Sequence, residues 1–257
     1  GVAVTGGVGE WTGSGGNPKL EPYRANSVDL SLEKYFGESS YVALALFYKG
    51  LESYIYNQTI PWNFAGYDYE GPTPPLSDWG RFSTPANGQG GYMRGAEFST
   101  AVGGEELHPV LEGFGVLLNA SYTESSIDPD GPGGSDSDTI PGLSKIVANA
   151  TVFYENNGFA ARLSQRFRDP YRGEYSYIFG QRSYRYTLNE RQVDLQLSYD
   201  FQETSAMSGL TLMFQVNNLN NEPFRTEVSD SNGLGLFFPE EFTEYGRQIL
   251  VGFRYAL

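Results

Sequence analysis

Residues 245–257 read YGRQILVGFRYAL, and every second position is apolar: Ile249, Val251, Phe253, Tyr255 and Leu257. Between them lie Gln248, Leu250, Gly252, Arg254 and Ala256. A helix would smear this pattern around its axis, whereas a strand of period two keeps it on two faces. A soluble sandwich would bury the apolar face. A membrane barrel would turn it toward lipid and leave the mixed face to a watery lumen.

The same alternation recurs upstream. Val28, Leu30, Leu32 and Phe36 alternate with Asp29, Ser31, Glu33 and Tyr35. A short turn at 37–40 leads into a strand over 41–56, which makes a hairpin. Further strands are predicted over 91–102, 111–125, 144–154, 159–168, 193–201 and 210–217, giving about nine in all. Residues 1–22 are Gly-rich and aperiodic and read as an extracellular-type loop. The run Glu155-Asn156-Asn157-Gly158 is a strong hairpin turn.

Longer connections are predicted at 57–90, which is too Pro-rich for a central strand, and at 128–138, 169–189 and 218–244. Connections thus alternate short and long, as in an outer-membrane barrel with short periplasmic turns and long outer loops. Most strands approach the ~9–11 residues that cross a bilayer at a tilt. Acids in the second rows (Asp29, Glu33, Glu97, Asp194, Asp200) suit a wet lumen. The fold class is all-β, an antiparallel transmembrane β-barrel segment within a larger barrel.

Composition bounds the rest. The 257 residues include no Cys and a single His, His108, so thiol chemistry is excluded and a triad or His-rich metal site has little to draw on. The net charge of -14 argues against nucleic acid or an anionic membrane surface as a partner. No apolar run is long enough for a transmembrane helix, and the mean hydropathy of -0.40 is compatible with barrel strands diluted by polar loops. The chain opens on Gly1 without Met, a basic n-region or an apolar h-region, so no signal peptide is expected within it, whether or not one was removed.

Four motifs lie in order along the chain. GNPKLEPYRANSVDLSLEKYF (16–36), NGQGGYMRGAEFS (87–99), FQVNNLNNEPF (214–224) and EYGRQILVGFRYAL (244–257) resemble, respectively, a barrel-strand entry, a Gly-rich strand start, the penultimate strand and the terminal strand of TonB-dependent outer-membrane receptors. The run Glu190–Asp194, with Tyr199–Phe201, resembles the subgroup associated with oligosaccharide uptake. By this resemblance, residues 23–257 form the C-terminal portion of a receptor barrel. Such barrels have about 22 strands and a plugged lumen. About nine strands cannot close one with the usual even count, so the remainder of the barrel and the plug, in the same or a separate chain, are implied partners. The resemblance further implies the TonB–ExbB–ExbD system acting through the plug, outer-membrane lipid, and room for a surface lipoprotein. It implies a transport function, bacterial outer-membrane localisation, and no catalysis or cofactor. A ferric-chelate receptor of the same family, a small passive porin and a soluble β-sandwich carbohydrate-binding module are the alternatives.

The candidate ligand site lies in the long connections. Aromatic faces stack on the C–H faces of sugars, while Arg, Asp and Asn bind hydroxyls. Trp62, Phe64, Tyr67, Tyr69, Trp79, Tyr171, Arg172, Tyr175, Tyr177, Phe179, Arg182 and Tyr184 fit such a surface. They would equally serve to hold loops together or to form an interfacial belt. Asp128, Asp130, Asp136 and Asp138 could ligate Ca²⁺, but their loop lacks the bidentate Glu of an EF-hand and reads better as solvated chain. Arg162 and Arg166 are expected to balance Asp194 by cross-strand pairing. His108, beside Pro109 in a short turn, is expected to be structural. Glu97 is expected on the inner wall.

Overall fold

The structure, a computed structural model, describes residues 1–5, 7–37, 40–69, 71–127, 139–178, 181–229 and 235–256. Its strands are β1 (Val2–Thr5), β2 (Val8–Ser14), β3 (Ala25–Phe36), β4 (Ser40–Asn63), β5 (Pro75–Gly103), β6 (Phe114–Ile127), β7 (Ile146–Asn156), β8 (Phe159–Arg168), β9 (Tyr171–Ile178), β10 (Gln181–Thr187), β11 (Glu190–Asp200), β12 (Leu210–Asn217), β13 (Phe224–Ser229), β14 (Phe237–Thr243) and β15 (Gln248–Tyr255). Two 3-10 turns, Gly104–Glu106 and Pro109–Leu111, are the helical elements among the described residues.

Eleven strands form one sheet: β5, β6, β7, β8, β11, β12 and β15 follow in order, β4 joins β5, β3 joins β4, and β1–β2 join β5 through β2. Setting aside β1 and β2 leaves the nine strands expected from the alternation. A second sheet has the order β14-β13-β10-β9. The sheet does not close on itself: β3 pairs only with β4, and β15 only with β12. This is a partial barrel.

The chain divides into two compact units. One holds residues 1–27, 49–93 and 125–138; the other holds 28–48, 94–124 and 139–257. In the second unit the register shows why alternating residues make a wall. Val116 pairs with Val152, Val152 with Leu163, Leu163 with Leu195, Leu195 with Val216, and Val216 with Ile249. One apolar row thus runs across six strands. It is exposed in large part, with Val152 51%, Leu163 48% and Ile249 62% exposed, while Val216 within it is buried.

On the other face Thr151 and Ser164 share a hydrogen bond of 2.8 Å, and Arg166 pairs with Asp194 at 3.3 Å. Arg162 departs from expectation: it pairs with Glu155 at 2.7 Å, not with Asp194. Glu155 lies near the end of β7, two residues from Phe153, the register partner of Arg162, and so on the same side; the shorter reach wins. Among the described residues only Trp11, Phe64, Ile127 and Val216 are buried large apolar side chains. A soluble sandwich of this size would hide dozens, because burial is its main source of stability. The soluble reading therefore falls, and the exposed rows require an apolar solvent.

The short turns hold as expected. Asn157 (φ 49) and Gly158 (φ 81) make the two-residue hairpin turn between β7 and β8. A Cβ on Gly158 would also meet the Asp200 carbonyl oxygen at 2.3 Å. His108 caps the second 3-10 turn, its Nδ1 accepting from the Val110 N–H at 3.1 Å, the structural role expected of it.

The long connections depart from the reading as loops. Residues 2–5 and 8–14 are β1 and β2, and much of 57–90 belongs to β4 and β5. Pro72 and Pro74 lie in the connection and Pro75 is the first residue of β5, a position where a missing N–H is harmless, whereas Pro61 and Pro85 lie within β4 and β5. Likewise 169–189 holds the β9–β10 hairpin and 218–244 the β13–β14 hairpin. β4 and β5 have 24 and 29 residues, more than twice what a tilted crossing needs.

The two faces predict opposite tolerances. Leu163→Arg, in the middle of the apolar row, is expected to cost about 2–4 kcal/mol in a bilayer. Gln196→Arg, on the opposite face, should cost less than ~1 kcal/mol. Urea unfolding from lipid vesicles measures both.

Candidate functional site

The loop-side end of the wall in the second unit is organised by asparagines. Asn218 and Asn221 both adopt left-handed backbone (φ 55 each), a conformation Asn tolerates better than other side-chain-bearing residues. Asn218 is 8% exposed. Its backbone N–H donates to Asp194 at 2.9 Å, and its amide nitrogen donates to the Glu222 and Gly246 carbonyls at 3.0 and 3.2 Å. Its amide oxygen accepts from the Glu222 N–H at 2.7 Å. Asn220 accepts from the Val193 N–H at 3.0 Å and donates to the Arg191 carbonyl at 2.6 Å. Arg247 donates to the Leu219 carbonyl at 2.7 Å. The run NNLNNE thereby ties β11, β12 and the approach to β15 into one rim.

That rim borders a cavity of about 580 Å³ lined by Glu190, Gln192, Asn217, Glu222, Tyr245 and Gln248, among others. Gln192 donates to Asp194 at 3.0 Å, Gln215 to Asn217 at 2.7 Å, and Asn217 to Gln248 at 3.1 Å. The alternation puts Gln192, Gln215, Asn217 and Gln248 on the face opposite the apolar row. An amide carries both donors and acceptors, so this row can bind hydroxyls in either sense. Carboxylates at Glu190 and Glu222 add acceptors, and Tyr245, 77% exposed, adds a ring.

In the same unit, β9 to β14 carry the second half of the expected site. Arg172 is 4% exposed. It donates to the Thr139 carbonyl at 2.7 Å, and its guanidinium lies 4.7 Å from the Tyr184 ring centre. Arg168 lies 4.0 Å over Tyr171. Tyr171, Arg172 and Tyr184 thus hold the hairpin against neighbouring chain. Tyr175, Tyr177 and Arg182 lie on β9 and β10, pairing as Tyr175 with Tyr184 and Tyr177 with Arg182. Phe179 and the four aspartates at 128, 130, 136 and 138 lie outside the described residues. Arg185 makes a bidentate pair with Glu240, both contacts 2.6 Å. Hydrogen bonding from Arg185 holds the Glu240 carboxyl below its ordinary range, and Glu240 in turn raises the Arg185 guanidinium.

The first unit carries the other half. Trp11 stacks on Phe64 at 5.5 Å and meets Tyr69 edge-on at 6.0 Å, while Phe64 meets Tyr67 at 5.7 Å. Trp62 lies 5.1 Å from Phe82. A Cβ on Gly13 would come within 3.0 Å of both Phe64 and Phe82, so a larger residue there would make the rings shift. Tyr69 hydroxyl bonds the Thr73 backbone on both sides. Phe64 and Tyr69 are therefore packing residues here, whereas Trp62 (43%), Tyr67 (63%) and Trp79 (58%) stay exposed. The expected twelve residues divide between the two units.

Sequence reasoning missed Trp11 and Phe82, which lie in stretches read as loops, and the amides Gln192, Asn217 and Gln248. The four asparagines of 217–221 were the available signal for the rim, because paired asparagines favour left-handed turns.

Asn218→Ala removes three side-chain bonds and puts Ala in a left-handed conformation. The expected loss is about 2–4 kcal/mol, read from denaturant unfolding, with Asn218→Gly recovering only the backbone part. The Glu240 carboxyl has a lowered folded-state pKa, so its contribution is present at neutral pH and is lost as pH falls below the ordinary value of 4.5. Amide exchange of residues 237–243 should accelerate in Glu240→Gln at pH 7 and match the unaltered chain once both are acidified through that range.

A family model described as the TonB-dependent receptor-like β-barrel matches residues 3–219. Among solved structures, a point variant of the ferric enterobactin receptor from Pseudomonas aeruginosa superposes with a TM-score of 0.56 at 11% identity, over 93% of this chain and 32% of that one. The chain thus spans about a third of that receptor's length, and at this identity the likeness speaks to fold alone. No curated protein matches the chain. The exposed apolar rows, the two-sided wall and the family match over residues 3–219 agree: the chain belongs to the TonB-dependent receptor-like β-barrel family, proteins of the bacterial outer membrane.

Proposed function

We propose that this chain is the C-terminal part of an outer-membrane active-transport receptor, and that it binds a scarce, hydroxyl-rich solute of the oligosaccharide class. The supporting observation is the amide and carboxylate lining of the loop-side cavity, Gln192, Asn217, Gln248, Glu190 and Glu222. Such groups exchange hydrogen bonds with hydroxyls, and the exposed Tyr245 ring of the same unit supplies a stacking face. The cation that lines the cavity, Arg247, donates to the Leu219 carbonyl, and Arg225 and Arg185 pair with Glu222 at 3.8 Å and Glu240 at 2.6 Å. An anionic ferric chelate calls for surplus positive charge, so it is the second reading, one to which the siderophore named for the superposed receptor draws attention.

In this reading the missing strands and plug complete the pore, the TonB–ExbB–ExbD system supplies the energy, and the chain's own residues only bind. Chemistry on the solute is not expected, and the small passive porin gives way to the receptor.

The test is titration calorimetry of the complete receptor in neutral detergent, with neutral oligosaccharides of graded length and with ferric chelates. The expected outcome is saturable oligosaccharide binding, weakened about tenfold by Gln192→Ala or Asn217→Ala, the scale of one or two lost hydrogen bonds. Binding of a ferric chelate that these substitutions leave unchanged, with none of any oligosaccharide, would overturn the proposal.

A further inference from the structure

The outward face of the wall ends, on its loop side, in a cluster unlike the apolar row beneath it. Tyr122 belongs to the row that pairs Val116 with Val152, and it pairs with Ile146. Two residues on, Glu124 lies on the same face. One oxygen of Glu124 accepts from Arg94 at 3.0 Å, and the other meets the Lys145 ammonium at 3.4 Å. The Tyr122 hydroxyl donates to Glu124, and Lys145 folds over the Tyr122 ring, 5.1 Å from its centre. Both cationic side chains remain 56% exposed, against 31% for Glu124.

One carboxylate therefore holds two cations side by side on the outward surface, at the upper margin of the apolar row. The theme recurs on β11, where the outward Arg191 lies 5.7 Å over Phe167. In a chain of net charge -14, cations gathered at one rim of a lipid-facing wall are not explained by solubility. A cation beside an amphipathic ring, just past hydrocarbon, meets the depth at which lipid headgroups sit.

We propose that Arg94 and Lys145, braced by Glu124 and Tyr122, form a binding site for the phosphate-bearing headgroup of a lipid in the outer leaflet, with its acyl chains on the apolar row. The inference does not depend on what the loops transport. It needs only the outward face and the membrane.

The experiment is native mass spectrometry of the complete receptor in neutral maltoside detergent. The probes are dioleoyl phosphatidylglycerol and dioleoylglycerol, which share acyl chains and differ in the phosphate-bearing headgroup. The expected result is a preference of roughly tenfold for the phosphorylated lipid, weakened by salt. Arg94→Gln with Lys145→Gln should abolish the preference. Lys34→Gln, a cation on the same face near the turn end of β3, should leave it intact. Equal retention of the two lipids by the unaltered receptor overturns the proposal without any substitution. So does a preference that survives the double substitution, or one that millimolar inorganic phosphate erases, which would mark a site for the free anion.

Discussion

Every backbone N–H and C=O in hydrocarbon must find a partner within the protein, because lipid offers none. The rest of this structure follows from that constraint. β7, β8, β11 and β12 each meet it with neighbours on both sides. β3 and β15 meet it on one side only, and they are exposed along nearly their whole lengths. An unpaired edge is tolerable in water and untenable in lipid, so the wall is complete only when further strands cover both margins. The same constraint confines irregular backbone to the two ends, where it becomes tight turns on one side and extended hairpins on the other.

Pairing the backbone leaves the side chains free to sort by face. The outward row carries aliphatic and aromatic side chains with almost no burial inside the protein. The inward face carries amides, hydroxyls and paired charges such as Arg166–Asp194. What a soluble domain achieves with a core, this fold achieves with its solvent. Polar chemistry is then gathered on the inward face and the loop-side rim, where amides stand beside carboxylates and guanidinium groups.

How much of this was legible in the sequence depended on the range of the signal. The nine wall strands were legible because a period of two is set by each strand's own two environments, and Val193–Phe201 shows it without a break. The Asn157-Gly158 turn was legible because few residue pairs tolerate two left-handed positions. β1, β2 and the hairpins β9–β10 and β13–β14 were not legible: they stand in mixed surroundings, where neither face is uniformly apolar, and their glycines and prolines mimic loops. Gly13 is the clearest case, a glycine set by the close approach of two rings distant in sequence and not by local flexibility. The candidate site was half legible. Its aromatic content was plain, but whether a given ring packs inward, as Phe64 does, or stays exposed, as Trp62 does, depends on Trp11 and Phe82, which lie far along the chain. Arg162 chose Glu155 over Asp194 for reasons of reach that pairing rules do not contain.

The Arg185–Glu240 pair joins β10 to β14 across the intervening β13. Hydrogen-bonded ladders resist separation of adjacent strands but yield to sliding, since each bond can be remade one step along. A rigid fork spanning three strands acts as a diagonal tie, and sliding any one of the three would stretch it. The two outer hairpins are thereby tied to each other by side chains as well as by the β10–β13 ladder.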